Sequence, residues 1–447
     1  MSSSQYRFFS KSSETAKEVL HKGEEIKTWD DLMEVIYQLQ SDPGNKFKCS
    51  GLKLAIDRFS QFIQQTEDLN FDFYKDVVPS IVKHAVEVDE NDLKDRIKLI
   101  EMNIEGEFII KPRDVRCILA NAFLLNISND IHKSMQKDHG RDFGCLDFKG
   151  LYVTSVSESV ERLVCQLSYF YLHAKYDLCD NREDIVFTRH HMKEGDEPQW
   201  DQLSDVTFEN SQEQFKIHSN RMEDVNARSF VDFANRFIHV GAIIPSLTQE
   251  EILFSCCPEA FLTLLTCESL SHGEVMTMKG LKRYCDYSGY METFKFSKLY
   301  SPLDNVLDVI IMDATSIKHF YPDKIKRDLA KAYLGFKNCN KHEISTGHWG
   351  CGGKLTDVFL IFIVFGGDRT FKFLQQLCAA RITNSRLHYS CRGVAEQFSE
   401  VLQLIIDSRA SIKDLYHLMN AFSEYRATNA RGDFRTFLMQ ELKKKQQ

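Results

Sequence analysis

Hydrophobic spacing changes character near residue 183, and that change constrains the fold more than any other feature of the chain. Before it, apolar residues recur at helical spacing, as Leu52, Ala55, Ile56, Phe59, Phe62 and Ile63 do. Thr28-x-x-Asp31 forms a capping box ahead of Asp31–Leu39. Pro112 stands at a helix start before the apolar run Val115–Leu125, and Val160–His173 makes a further helix. After it, short β-prone runs alternate with helical ones. Asp184–Thr188, Asp308–Asp313, Glu343–Thr346 and Arg386–Ser390 read as strands. Ile325–Leu334, Thr370–Arg381, Val394–Ile406 and Lys413–Tyr425 read as helices. Strands alternating with helices predict an α/β fold with a mainly parallel or mixed sheet. We therefore expect a helical accessory domain over residues 1–180 and an α/β domain over 181–447. No linker composition separates them, so tight packing is expected.

Bulk properties exclude several classes. A net charge of -8 offers no broad surface for binding nucleic acid by counterion release, so direct DNA or RNA binding is not expected. A polyanionic ligand would need a local site built from backbone N–H groups at turns and helix starts. The 13 cysteines are odd in number and include no Cys-x-x-Cys pair, which speaks against a disulfide framework or zinc ribbon. Reduced thiols in an intracellular protein, nuclear or cytoplasmic, are the expectation. The polar start Met1–Tyr6 has no apolar core of a signal peptide, and the apolar run Val358–Phe365 is too short to span a bilayer, so no membrane association is expected. Lys324-Ile-Lys-Arg327 reads as the solvated face of a helix, and His190-His191 as an ordinary pair without metal spacing.

Four segments carry chemistry. Thr248-x-x-Glu251 is a capping box in pattern, and acids in a first helical turn complement the macrodipole. The same Gln249-Glu250-Glu251 also suits general acid catalysis at an anomeric carbon. Adjacent glutamates cannot straddle one bond, so one would act as acid/base while the other orients hydroxyls. Asp232 and Asn235, after Phe230-Val231, fit turn or capping roles, or would hold the Gln249–Glu251 loop and bond a ribose. Tyr284–Tyr290 reads as a packed hairpin or loop, or as a tyrosine that closes over a ligand. Thr346–Gly353 is a glycine-rich loop after a strand, able to offer N–H groups to a pyrophosphate.

The order of these pieces resembles the poly(ADP-ribose) glycohydrolase family from about Val115 to Tyr425. The pieces are Ile118–Phe123, Met222-Glu-Asp224, Val231-Asp-Phe-Ala-Asn-Arg236, Gln249-Glu-Glu251 with Pro258-Glu259, Tyr287-Ser-Gly-Tyr290, Lys331–Phe336 and Ser345-Thr-Gly-His-Trp-Gly-Cys-Gly352. The resemblance implies a macrodomain, a mixed sheet between helices, preceded by a helical accessory region. It implies hydrolysis of the ribose–ribose bond of poly(ADP-ribose) on modified proteins to release ADP-ribose, without metal; no cofactor is expected, and the chain is expected to act as a monomer. Carried over, Glu251 is the acid/base, Glu250 binds ribose hydroxyls and Asp232 supports the catalytic loop. Met222 and Glu223 flank the adenine, Asn235 and Gln249 bind substrate, and Tyr290 clasps it. His348, Trp349, Gly350, Cys351, Gly352 and Gly353 form the diphosphate loop. The alternative is a catalytically weak or inactive paralogue that binds ADP-ribose polymers.

Three departures bear on activity. The family's Gly-Gly-Gly turn is His239-Val240-Gly241, which loses the backbone freedom of glycine. The family's asparagine in Thr-Gly-Asn-Trp is His348. Residues 354–364 interrupt the family pattern between Gly353 and Phe365. That segment is apolar and β-prone, a poor surface loop, and removing it keeps the reading frame. We read it as a retained intron, a gene-model artefact.

Overall fold

The computed structural model describes residues 8–21, 26–40, 42, 44–128, 146–176, 178, 182–238, 247–300, 306–315, 317–339, 343–352, 367–429 and 432–446. The altered turn at His239, Val240 and Gly241, the residue Gly353 and the segment 354–364 all lie outside them.

Ten strands are described: β1 Gly106–Ile110, β2 Ile185–His191, β3 Phe215–His218, β4 Ser229–Asp232, β5 Glu274–Lys282, β6 Cys285–Ser288, β7 Lys295–Leu299, β8 Val306–Ile311, β9 Glu343–Thr346 and β10 Arg386–Ser390. Eight of them form one sheet in the order β1-β2-β5-β8-β4-β9-β10-β3. The β1-β2-β5-β8 side is antiparallel. From β8 through β4, β9 and β10 to β3 every pairing is parallel. The sheet is thus mixed, as expected. β6 and β7 make a separate antiparallel hairpin.

Strand alternation divides two cores across the sheet. Phe230, Val309 and Ile311 face one core, which they share with the helices of the first half of the chain, among them Ser50–Thr66, Pro112–Phe123 and Ser157–Lys175. Val231 and Ile310 face the other, with the C-terminal helices Pro322–Lys337, Arg369–Ile382, Ala395–Asp407 and Ile412–Thr428. The architecture is three-layered, helices on both faces of a sheet. The helix Pro322–Lys337 approaches the sheet closely at Gly335, where a Cβ would lie 2.8 Å from Ile310 Cγ2. β1 comes from the helical half of the sequence yet forms the edge of the sheet.

Local signals explain the helix starts. Thr28 and Asp31 close a capping box on Trp29–Leu39, and Ser411 with Asp414 does the same for Ile412–Thr428. Asp368 caps Arg369–Ile382, accepting from Phe371 N at 2.9 Å. One expectation fails: Arg327 is not on a solvated face. It turns inward to Asp313 and Asp328, the latter at 2.7 Å, because Asp313 with Lys331 and Asp328 with Lys372 build a buried charge network there. The described residues contain no helix long and apolar enough to cross a membrane.

Candidate active site

Parallel strands that run the same way end on the same side, and ligands of open α/β sheets bind at those carboxyl ends. Every segment flagged for chemistry follows such an end or packs against one. Met222 and Glu223 sit in a short 3-10 turn after β3, and Asp232 ends β4. His348 to Gly352 follow β9.

The acidic helix Gln249–Cys256 is fixed to β4 by its first side chain. Gln249 Oε1 accepts from Phe233 N at 2.8 Å, and its Nε2 donates to Val231 O at 3.3 Å. The amide therefore replaces the ladder partner that the backbone at the end of β4 lacks there. Thr248 and Glu251 form the expected capping box: Glu251 Oε2 accepts from Thr248 N at 2.5 Å and from Thr248 Oγ1 at 2.6 Å. Glu250 and Glu251 are each 3% exposed, unusually buried for carboxylates. Beneath the helix lies Arg162, fully buried, whose Nε donates to Ser255 Oγ at 3.3 Å. Ser255 in turn bonds Glu251 O at 2.7 Å. Burial draws the Arg162 guanidinium down to about 10, and the charge of Glu251 opposes that.

Asp232 is completely buried, and neither carboxylate oxygen has a hydrogen-bond partner among the described residues. Burial, and after it the charge of Glu251, push its carboxyl well above the usual range. Both effects favour the protonated carboxyl. Asn235 makes the turn its sequence suggested, its Oδ1 accepting from Phe237 N at 3.1 Å.

Across the site, Tyr290 follows β6 at the tip of the hairpin. Burial raises its phenol, the charge of Arg392 lowers it, and Glu251 and Glu223 raise it, which places the ring among these groups. Its hydroxyl lies beside the glycine loop, since a Cβ on Gly352 would come within 3.9 Å of it. Glu223 Oε2 is buried without a partner among the described residues. Met222 is packed down by its carbonyl, which accepts from Ser345 Oγ at 2.7 Å.

The glycine loop is braced from behind. Trp349 is buried and donates from Nε1 to Met312 O at 2.9 Å, with Lys372 5.1 Å above its ring. Gly350 has φ +71, and a Cβ there would sit 2.5 Å from Ala314 Cβ, so glycine is required twice over. Cys351, mostly buried, has its thiol raised to about 12 by that burial. His348 Nδ1 shares a hydrogen bond with Tyr389 Oη at 3.0 Å, while Nε2 is buried without a partner among the described residues. Burial takes the His348 imidazole down to about 4, so it is neutral. Gly350 O accepts from Gly367 N at 3.1 Å, so the chain on the two sides of residues 353–366 meets in one backbone hydrogen bond.

Sequence reasoning did not flag Arg392. It follows β10, has φ +40, and stacks its guanidinium 4.5 Å from the centroid of Tyr290. Its signal was positional: it comes just after a strand whose neighbours all end at the site.

A mixed sheet between helices, with an acid-headed helix and a glycine loop at the carboxyl ends of its parallel strands, defines a macrodomain-type protein. Two sequence models agree: poly(ADP-ribose) glycohydrolase, macro domain fold, matches residues 198–398, and poly(ADP-ribose) glycohydrolase, helical domain, matches residues 65–189. The chain belongs to the poly(ADP-ribose) glycohydrolase family. It is 28% identical over 210 residues to poly(ADP-ribose) glycohydrolase 1 of Caenorhabditis elegans, covering 41% of this chain and 26% of that protein. It is 24% identical over 220 residues to poly(ADP-ribose) glycohydrolase 2 of the same worm, covering 43% of each. It is 23% identical over 365 residues to poly(ADP-ribose) glycohydrolase 1 of Arabidopsis thaliana, covering 62% of this chain and 63% of that protein. In each case the chain spans less than two thirds of the relative's length.

Proposed function

We propose that the chain hydrolyses the ribose–ribose O-glycosidic bond of poly(ADP-ribose) and releases ADP-ribose. The observation that carries this reading is the buried Glu250–Glu251 pair, held on β4 by Gln249. The Tyr290 hydroxyl, in the field of Glu251, lies beside Gly352 of the glycine loop at the same end of the sheet.

In this reading the diphosphate rests on the backbone of the loop His348 to Gly352, within which the N–H groups of Trp349 and Cys351 already donate to Gly347 O at 2.8 Å and His348 O at 3.0 Å, and Met222 and Glu223 flank the adenine. Tyr290 covers the ligand. Glu250 accepts from ribose hydroxyls. Glu251 gives a proton to the departing sugar oxygen as positive charge develops at the anomeric carbon, and then, as carboxylate, takes a proton from the attacking water. Asp232 supports the segment that leads from β4 to the acidic helix.

The test is release of ADP-ribose from an automodified polymerase. Wild type should release it, and Glu251→Gln should lose about 10²–10⁴-fold in kcat while still binding the polymer. Absence of release by wild type, with polymer binding intact, would reject the hydrolase and leave a binding protein.

A further inference from the structure

Cys165, Cys256 and Cys285 are distant in sequence and sit on three elements. Cys165 is in the helix Ser157–Lys175, Cys256 is the last residue of the acidic helix, and Cys285 opens β6. All three are buried, and their sulfur atoms lie within 4.8 Å of one another. Among the described residues no other trio of histidine, cysteine or carboxylate side chains gathers this way.

We propose that these three cysteines form a structural site for one thiophilic metal ion, Zn²⁺ or Cu⁺. Thiolates select soft d¹⁰ ions over Mg²⁺ or Ca²⁺. Metal–sulfur bonds of about 2.3 Å around a three-sulfur ring put the sulfurs about 4 Å apart, so a small inward movement closes the site. Three thiolates around such an ion leave net negative charge, and a guanidinium stands nearby. Arg283, 8% exposed, lies within electrostatic reach of Cys256 and pairs with Asp286 at 2.9 Å. Loading releases the thiol protons. It also ends the weak hydrogen bond from Cys285 Sγ to Cys165 O, 3.8 Å long. Because the trio is buried, the ion enters as the chain folds.

The site would tie together three parts that the chain must keep in register. Cys256 anchors the far end of the helix headed by Glu250 and Glu251. Cys285 anchors the hairpin that carries Tyr290. Cys165 fixes both to the helical half of the molecule.

The experiment is refolding of the full chain with a chelator, with Zn²⁺ or with Cu⁺ under reductant, followed by desalting, elemental analysis and thermal unfolding. One equivalent of one of the two metals should stay bound, and its arm should show a Tm several degrees above the chelator arm. Cys256→Ala and Cys285→Ala should retain no metal and show no Tm difference between arms. Should either variant fail to fold, wild type refolded with Co²⁺ gives the same answer through thiolate-to-cobalt charge-transfer absorption. No retained metal and no such absorption would overturn the proposal. So would equal metal content in folded cysteine variants, or a disulfide between any two of the three in the native protein.

Discussion

At the scale of a residue, Asp232 has the most exposed consequences. Its carboxyl is raised by burial and then by Glu251, so the folded chain holds that proton more tightly than the unfolded chain does. The stability it contributes is fully present below its ordinary value of 3.8 and falls as pH rises toward the folded value. Asp232→Asn removes that loss. Its Tm should exceed that of wild type by a few degrees at neutral pH, and the gain should vanish as pH drops into the ordinary carboxyl range. A gain that is constant with pH would mean that the charge is not what costs stability. The sequence showed Asp232 as a turn or capping residue and as a candidate in the site, but not its burial. Burial here depends on strands β8 and β9 closing on either side of β4, which are remote in sequence.

At the scale of an element, the acidic helix is positioned by one amide. Gln249→Ala would leave the Phe233 N–H without its partner, at a cost of about 1–3 kcal/mol measurable by urea unfolding. The helix start would also lose its tie to β4. The expected kinetic outcome is a fall in kcat with little change in polymer affinity, and an unchanged kcat would show that the capping box alone places Glu251. That capping box was legible because Thr248 and Glu251 are three residues apart. β9 and β10 were legible too, each a compact β-prone run. β4 was not: four residues, all buried, carry no alternation to read. β5 escaped because Gly280, Lys279 and Lys282 interrupt its apolar pattern, and a bulge between Met278 and Leu281 absorbs the interruption.

At the scale of the molecule, the segment that leads from the helical half into β2 is fixed to the sheet side by buried polar ties as well as apolar packing. Arg182 pairs with Glu259 and also donates to Gly280 O at 2.6 Å, while Tyr284 Oη donates to Glu259 at 2.6 Å. Arg182→Met would strand a buried Glu259 and should cost about 3–5 kcal/mol in denaturant unfolding. A loss below about 1 kcal/mol would show that Tyr284 and Lys282 N suffice. The hydrogen bond between Gly350 and Gly367 bears on the interrupted loop. A chain lacking 354–364 keeps both partners of that bond and should fold with an unchanged far-ultraviolet spectrum and a Tm no lower than that of the full chain. A clear drop in Tm would mean that the segment is an integral part of the fold. Family membership and a mixed sheet were both readable from ordered motifs. The cysteine trio was not, because no short spacing announces three residues that meet only after the chain has folded.

β1 sets a schedule for synthesis. The ribosome delivers this edge strand long before its neighbour β2, and of the parallel strands it delivers β8, β9 and β10 only after β3 and β4. Domains emerging at roughly 5–20 residues per second fold as they appear when their partners are already out. Here β2 is not, so β1 waits as an unpaired strand while the helices Pro112–Phe123 and Ser157–Lys175, which share its core, arrive. The period before β2 arrives is when a holding chaperone has most to do for this chain.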